Sequence, residues 1–405
     1  MDAEKFNQNN ISNLIRNILT LRYDPSKKTT LPILNSKDFS LPQKYDLNYI
    51  EDTLKNSIQT KLESTKNLTI SLSGGIDSTL VLGLIRKIFP DLKINAISIK
   101  FAYSTDETST AKKIADFFEA EHEIINIENY LLELPNAISI IGMPFWDIHW
   151  YYIAKNAKEK SKFLASGDGG DELFGGYTFR YSKFLSLTKP DSTPQEKIQA
   201  YLSCHERDWV PDQEKIFNQK TNFSWTSINS IFKPFFDNSL SSINQVFLAD
   251  YNGKLLYNFS TIGNKINQFF NIKPIAPILE PELISYASHL SPELKYDSLE
   301  NKGKLPLRAL LSKYHCNSLV SKEKLGFSVN TINLWNSIGK ELCHSYLDDA
   351  RIVDDGWINK EWISSYISKP DLDVRYVNKF LGLLSLEIWY RLFITKEMNT
   401  KTKLS

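Results

Sequence analysis

The sequence is poor in cysteine. Three occur among 405 residues, Cys204, Cys316 and Cys343, and no two form a CxxC pair. That spacing implies neither a cysteine-built zinc site nor a disulfide framework. An excess of one charge is also missing: 48 Lys and Arg face 47 Asp and Glu, a formal net charge of +1. Bulk charge therefore gives no reason to expect a nucleic acid or an anionic membrane as partner. No apolar run approaches the roughly 20 residues of a membrane span. Met1 to Asn10 is polar rather than basic and then apolar, so no signal peptide is predicted and the expected location is the cytoplasm. The six histidines are scattered and define no His/Asp/Ser triad.

What is present is an ordinary globular composition, 42% hydrophobic and 23% charged, in a chain long enough for two substructures. Residues 1–45 are polar and broken by Pro25, Pro32 and Pro42, with one short apolar helix expected around Ile11–Leu21. Leu47, Ile50, Leu54, Ile58 and Leu62 have helical spacing. Then the period changes. Leu68–Leu72, Ile94–Ile99, His122–Ile127 and Phe163–Ala165 read as strands, and Ile76–Ile88, Asp106–Phe118 and Ile148–Lys160 as the helices between them. Strands alternating with helices predict an α/β fold, a doubly wound parallel sheet, which we expect to be five-stranded. In such sheets ligands bind beyond the carboxyl ends of strands. Beyond Lys183 the strand signals fade into aromatic-rich helical segments, and Asn399–Ser405 reads as a frayed polar tail. The expected organisation is an N-terminal extension (1–45), an α/β core (46–185) and a mainly helical part (186–398).

Both glycine-rich segments fall at strand ends. The first is Ser73-Gly74-Gly75-Ile76-Asp77-Ser78. A strand that turns through two glycines into a helix aims backbone N–H groups and a positive dipole end at one spot. That is a cradle for phosphate or pyrophosphate, with Ser73, Ser78 and Thr79 adding hydroxyls. It is not a Walker A loop, since no Gly-Lys-Ser/Thr follows. Asp77 would repel phosphate unless a Mg²⁺ lies between them. The plainer alternative is a helix start with Asp77 and Ser78 as first-turn caps. The second segment, Ser166 to Tyr177, packs five glycines and three carboxylates into twelve residues. Three carboxylates beside an anion site need a cation. Leu173, Phe174 and Tyr177 are apolar anchors that a solvated acidic loop would not need.

Together the two segments resemble the synthetase domain of the asparagine synthetase family, whose patterns are SGGxDS and SGDGxDELFGGY. The resemblance spans roughly residues 20–335. It implies an adenine nucleotide alpha hydrolase-like fold with ATP and Mg²⁺ as cofactors. It implies that Ser73, Gly74, Gly75, Asp77 and Ser78 hold pyrophosphate. By the same match Leu72, Ile99, Ser166 and Gly167 hold the adenosine part of ATP, and Asp77 and Asp171 the metal. Asp168 stands at an acidic position near the acyl group that helps to deliver the amine. Lys322-Glu323-Lys324-Leu325-Gly326-Phe327 resembles the family's R-x-K-x-GF stretch, which implies that Lys324 stabilises departing pyrophosphate. Pro277–Glu280, Pro292–Lys295 and Gly303-Lys304 with Arg308 resemble further family segments, for which a structural role is expected.

Two departures redirect the expectation. Family members begin with a cysteine nucleophile in a glutaminase domain, whereas residue 2 is Asp2 and few residues precede the linker-like Leu21-Arg22-Tyr23-Asp24-Pro25. Free ammonia, an amine or ammonia from a separate glutaminase subunit is therefore expected. The family's aspartate-recognising D-R-x-S-M segment reads Asn258-Phe259-Ser260-Thr261-Ile262, followed by a longer Asn-rich loop over Gly263–Lys273. Phe259 replaces an Arg that would pair a substrate carboxylate. The expected substrate is a small-molecule or peptide carboxylate other than ordinary aspartate, amidated through an acyl-adenylate. The alternatives are adenylation of a nucleobase or tRNA, and a nucleotide-binding relative without catalysis. The aromatic cluster Phe145–Tyr152, which includes His149, is either a helix face in the core or a wall of the acyl pocket.

Overall fold

Aliphatic and β-branched residues in unbroken runs make the central strands of a sheet buried on both faces. Strand β1 (Asn67–Ser71) lies at its middle. With β2 (Lys93–Phe101), β3 (Glu121–Ile127), β4 (Phe163–Ala165) and β5 (Lys273–Ile275) it forms one sheet in the order β3-β2-β1-β4-β5. Every pairing is parallel. The structure is a computed structural model, and it describes residues 7–40, 42–102, 106, 108–320 and 329–404.

The sheet separates two apolar clusters. Leu68, Ile70, Leu72, Ile94 and Ala96 face one; Ile97, Ile99, Phe101 and Leu164 face the other. The period-two alternation of strand side chains produces this division. Helices α2 (Leu47–Leu62), α3 (Ile76–Ile88) and α4 (Thr108–Phe117) bury their apolar stripes in the first cluster. Helices α5 (Leu134–Ile141) and α6 (His149–Ala157) bury theirs in the second. The N-terminal helix α1 (Gln8–Leu21) joins that second cluster and meets the helix Val374–Phe393, where a Cβ on Gly382 would lie 3.3 Å from Leu19 Cδ2. Asp46 caps α2 by accepting from the N–H groups of Asn48 and Tyr49.

Two sequence expectations fail, and each failure has a physical cause. The segment Gly263–Lys273 is not a long loop. Thr261–Phe269 is α-helical, and it continues a helical path that starts at Ser242 and is kinked at Gly253, whose backbone is not helical. Ile262 and Ile266, one turn apart, bury themselves and hold that helix down. Strand β5 follows at the sheet edge, where Pro274 costs no ladder donor. Up to Leu404 the tail is also docked rather than frayed: Leu404 is buried, its N–H donates to Leu132 O at 2.9 Å, and its carbonyl accepts from Asn129 Nδ2. Among the described residues no helix is long and apolar enough to cross a membrane.

The strand order places a topological switch point between β1 and β4. The chain leaves β1 toward β2 on one side, and β4 returns on the other. The carboxyl ends of these two neighbours open the crevice where ligands bind in such sheets. Leu404→Ala should cost about 2 kcal/mol, as for a Leu truncated in a core. Chemical denaturation reads this directly, with Leu404→Met as the near-neutral control; no loss would mean that the tail is not docked.

Candidate active site

Past β1 the backbone turns at Gly74, whose φ of +76° a side chain rarely tolerates. Helix α3 then begins with Gly75 as its N-cap, and no side chain caps it. An uncapped first turn of this kind suits an anion. The hydroxyls are only loosely engaged. Ser73 Oγ and Ser78 Oγ stand 3.3 Å apart, and the Gly75 N–H reaches Ser73 Oγ at 3.4 Å. The Leu72 carbonyl is committed elsewhere, accepting from Ser98 Oγ at 2.6 Å. His122 Nε2 lies 2.9 Å from the same hydroxyl. Since that hydroxyl has one proton, His122 donates, and it ties β3 to the end of β1.

The second loop presses directly on the first. A Cβ on Gly167 would lie 2.6 Å from the Ser78 N and 2.7 Å from Asp77 Cβ. One on Gly170 would lie 2.3 Å from Asp77 Oδ1. Glycine at 167 lets the two backbones touch, and glycine at 170 leaves room for the Asp77 carboxylate. Helix α7 (Gly170–Phe174) is a single turn that ends at Gly175. Beyond it Tyr177 Oη donates to Glu172 Oε1 at 2.5 Å, and the Arg180 guanidinium covers the Tyr177 ring at 4.0 Å.

Asp77 and Asp171, one from each loop, meet on the same cation. Lys304 Nζ lies 2.5 Å from Asp77 Oδ2 and 2.8 Å from Asp171 Oδ1. Burial alone would push this ammonium's pKa down, but the two carboxylates hold it well above the usual lysine range. Its backbone is left-handed, with φ of +59°, which is rare for a residue other than glycine. Sequence alone assigns Gly303-Lys304 a structural place; the structure puts Lys304 between the two acidic residues. The available signal was a Gly-Lys pair just before a helix. Gly303 abuts Gly175 so closely that a Cβ would lie 1.9 Å from its carbonyl oxygen. Lys322 and Lys324 lie outside the described residues.

The spot is built for positive charge, and its hard oxygen donors suit Mg²⁺. No group of three or more His, Cys, Asp or Glu is poised for a metal among the described residues. A Mg²⁺ on Asp77 and Asp171 would therefore take its other ligands from phosphate and water.

Two adjoining cavities open here. The first, about 270 Å³, is walled by Ser73, Asp77, Ser78, Ser166, Gly167, Asp168 and Asp171 among others. Leu72 and Ile99 are not on that wall; they are buried in opposite apolar clusters. The second cavity, about 340 Å³, shares His149, Trp150, Ser166, Asp168 and Phe259 with the first. It continues between β5 and the helical path through Asn258, Asn264 and Asn267. The aromatic cluster thus divides: Tyr151 and Tyr152 are core, whereas His149 and Trp150 line the cavities. Phe259 is 42% exposed, and Lys61 on the far wall is paired with Glu280.

Asp147 organises the junction. Its Oδ1 accepts from Tyr130 Oη at 2.8 Å and lies 3.0 Å from His149 Nδ1. Arg22, at the end of α1, reaches Oδ2 at 3.5 Å. Burial pushes the Asp147 carboxyl up, but His149 and Arg22 hold it below the usual range. Asp168 accepts from Ser166 Oγ at 2.8 Å. Desolvation among the walls of the cleft raises its pKa against the opposing pull of Ser166 and His149.

Comparison with known proteins shows the family. The family described as asparagine synthase matches residues 49–391. Asparagine synthetase [glutamine-hydrolyzing] 1 of Bacillus subtilis is 24% identical over 381 residues, covering 86% of this chain and 59% of that protein. The asparagine synthetase [glutamine-hydrolyzing] of Gallus gallus is 25% identical over 175 residues, 39% of this chain and 30% of that protein. This chain thus spans well under two thirds of the length of these relatives. A solved NH3-dependent NAD synthetase from Campylobacter jejuni covers 51% of this chain and 96% of its own, at 19% identity and a TM-score of 0.27.

Gly170→Ala should displace Asp77 and weaken binding of a Mg·ATP analogue at least tenfold by calorimetry while circular dichroism stays unchanged. Unaltered affinity would show that loop contact does not shape the nucleotide site.

Proposed function

The chain belongs to the asparagine synthase family, and from that premise we propose that it is an ATP-dependent carbon–nitrogen ligase, forming an amide through an acyl-adenylate. The observation that carries this reading is the meeting of Asp77 and Asp171 on Lys304, at the mouth of an uncapped helix N-terminus. A substrate carboxylate attacks the α-phosphorus of ATP, and pyrophosphate departs toward Ser73, Gly74, Gly75 and Ser78. Their N–H and hydroxyl groups are fixed before charge develops, which is the economical way to stabilise it. Bound Mg²⁺ on Asp77 and Asp171 would neutralise phosphate charge. In this reading Lys304 turns from the carboxylates toward the phosphates, and Lys324 joins it by resemblance to the family. Ser166 and Gly167, and by resemblance Leu72 and Ile99, are assigned to the adenosine end. Asp168 stands on the wall of both cavities, beside the acyl carbon in this scheme.

Ammonia or an amine then displaces AMP. A separate glutaminase subunit is one source of that ammonia. The acid is proposed to be neutral beyond its reacting carboxylate, as a small molecule or a peptide end. Phe259 stands on the wall where the family carries an Arg, and Lys61 is already paired with Glu280. A second carboxylate would be desolvated there without a partner.

Isotope exchange between pyrophosphate and ATP, run across a panel of acids, tests the assignment, because it reports adenylation before the nucleophile is known. Apolar and amide-bearing acids should support exchange, and aspartate should not. Asp77→Asn should reduce exchange by about 100-fold, the scale for losing one well-placed electrostatic group. Undiminished exchange in Asp77→Asn would remove the pyrophosphate-site assignment. Asparagine formed from aspartate and ammonium would overturn the substrate reading alone.

A further inference from the structure

The ligase reading leaves one chemical need unmet. Ammonia and most amines are largely protonated at neutral pH, and an ammonium nitrogen has no lone pair with which to attack. We propose, resting on that reading, that His149 is the base that takes the proton from the attacking nitrogen.

Three observations place it in that role. First, His149 lies where the two cavities meet, on the wall of both, as does Asp168. Second, its tautomer is determined. Asp147 is an ionised acceptor that also receives the Tyr130 hydroxyl, so His149 Nδ1 must carry the proton it presents at 3.0 Å. The lone pair is left on Nε2, which has no hydrogen-bond partner among the described residues. The side chain is 26% exposed. This is the division of labour in which a carboxylate orients an imidazole and stabilises the imidazolium that forms. Third, the surroundings favour a cationic nucleophile. The charged groups of the second cavity are Asp147, Asp168, Glu280 and Lys61, of which Lys61 is neutralised by Glu280. Arg22 is directed at Asp147 and Asp208. Burial lowers the basicity of His149, but Asp147 and Asp168 more than restore it.

The step balances. The ammonium gives one proton to His149 Nε2. The freed lone pair attacks the acyl carbon, the C–N bond forms, and the bond from that carbon to the AMP phosphate oxygen breaks, its electron pair leaving with AMP. The second proton shed by nitrogen goes to the Asp168 carboxylate. Both protons then pass to water, so acyl-adenylate and ammonium become amide, AMP and two protons.

The histidine also begins α6, and a purely structural role there is the competing explanation. The full chain is assayed with an acid that supports exchange, and with two nucleophiles, ammonium and hydroxylamine. Hydroxylamine is mostly unprotonated at neutral pH and needs no base. In His149→Gln the ratio of amide formed to pyrophosphate exchanged should fall about 100-fold with ammonium, the lower range for a lost general base. With hydroxylamine the ratio should fall no more than about threefold on the same reasoning. Asp147→Asn keeps the imidazole but loses the acceptor that sets its tautomer. It should show the same selective loss, and it decides the matter if His149→Gln does not fold. Equal losses with both nucleophiles, or none, overturn the proposal while leaving the ligase reading intact. Absence of exchange with every acid in the unsubstituted chain overturns both.

Discussion

The rest of the site depends on how a lysine ammonium is held between two carboxylates that come from different loops. Asp77 follows β1 and Asp171 follows β4, and Lys304 arrives from a distant segment to bridge them. Without a cation the two acidic groups would repel each other across a gap that glycine backbones have already closed. Taking one partner from a buried pair costs about 3–5 kcal/mol, because it leaves the other charge uncompensated. The bridge therefore lets the two loops pack tightly by offsetting part of their shared negative charge. A phosphate chain with its metal can exploit the place between them. The left-handed backbone of Lys304 is consistent with strain tolerated for position.

A second organising carboxylate lies some way from the first. Asp147 gathers Tyr130, His149 and Arg22, and so connects α1, the segment after β3 and the start of α6. Its neighbours on the cavity wall are mostly amides and aromatic rings, and the Lys61 ammonium there is paired with Glu280. The two halves of the cleft thus differ in polarity. The first is lined by hydroxyls and by Asp77, Asp168, Asp171 and Glu172, with Lys304 set on Asp77 and Asp171; the second is more apolar and carries Asp147, Asp168 and the Lys61–Glu280 pair. Both halves therefore attract cations, a metal beside phosphates in the first and a cationic nucleophile in the second.

Much of the fold was legible because its signals are local. Runs such as Leu68–Leu72 and Ile94–Ile99, each bounded by turn residues, read directly as strands, and Asp46 marks a helix start. Strand β5 was not legible: three residues containing a proline carry no pattern, and only the exposed edge beside β4 makes Lys273–Ile275 a strand. The helix Thr261–Phe269 hid behind its asparagines, which face a cavity rather than solvent. Leu404 looked like part of a polar tail because its partners, Asn129 and Leu132, are remote in sequence.

The glycine loop that follows β1 stands out from residues alone, since a strand, two glycines and a helix start suit an anion cradle as well as a plain capped helix start. The second loop stands out by its density of glycines and carboxylates, and the likeness of both to one family followed from their order. Tertiary structure decided what fills the space between them. Lys304 reads as an ordinary helix-start lysine, and His149 as one member of an aromatic stretch. Their chemical surroundings come from long-range contacts: a bridge to Asp77 and Asp171 for the lysine, and a cavity shared with Asp168 for the histidine. Local backbone preference writes itself into neighbouring residues, whereas the field around a charge is summed over the whole fold.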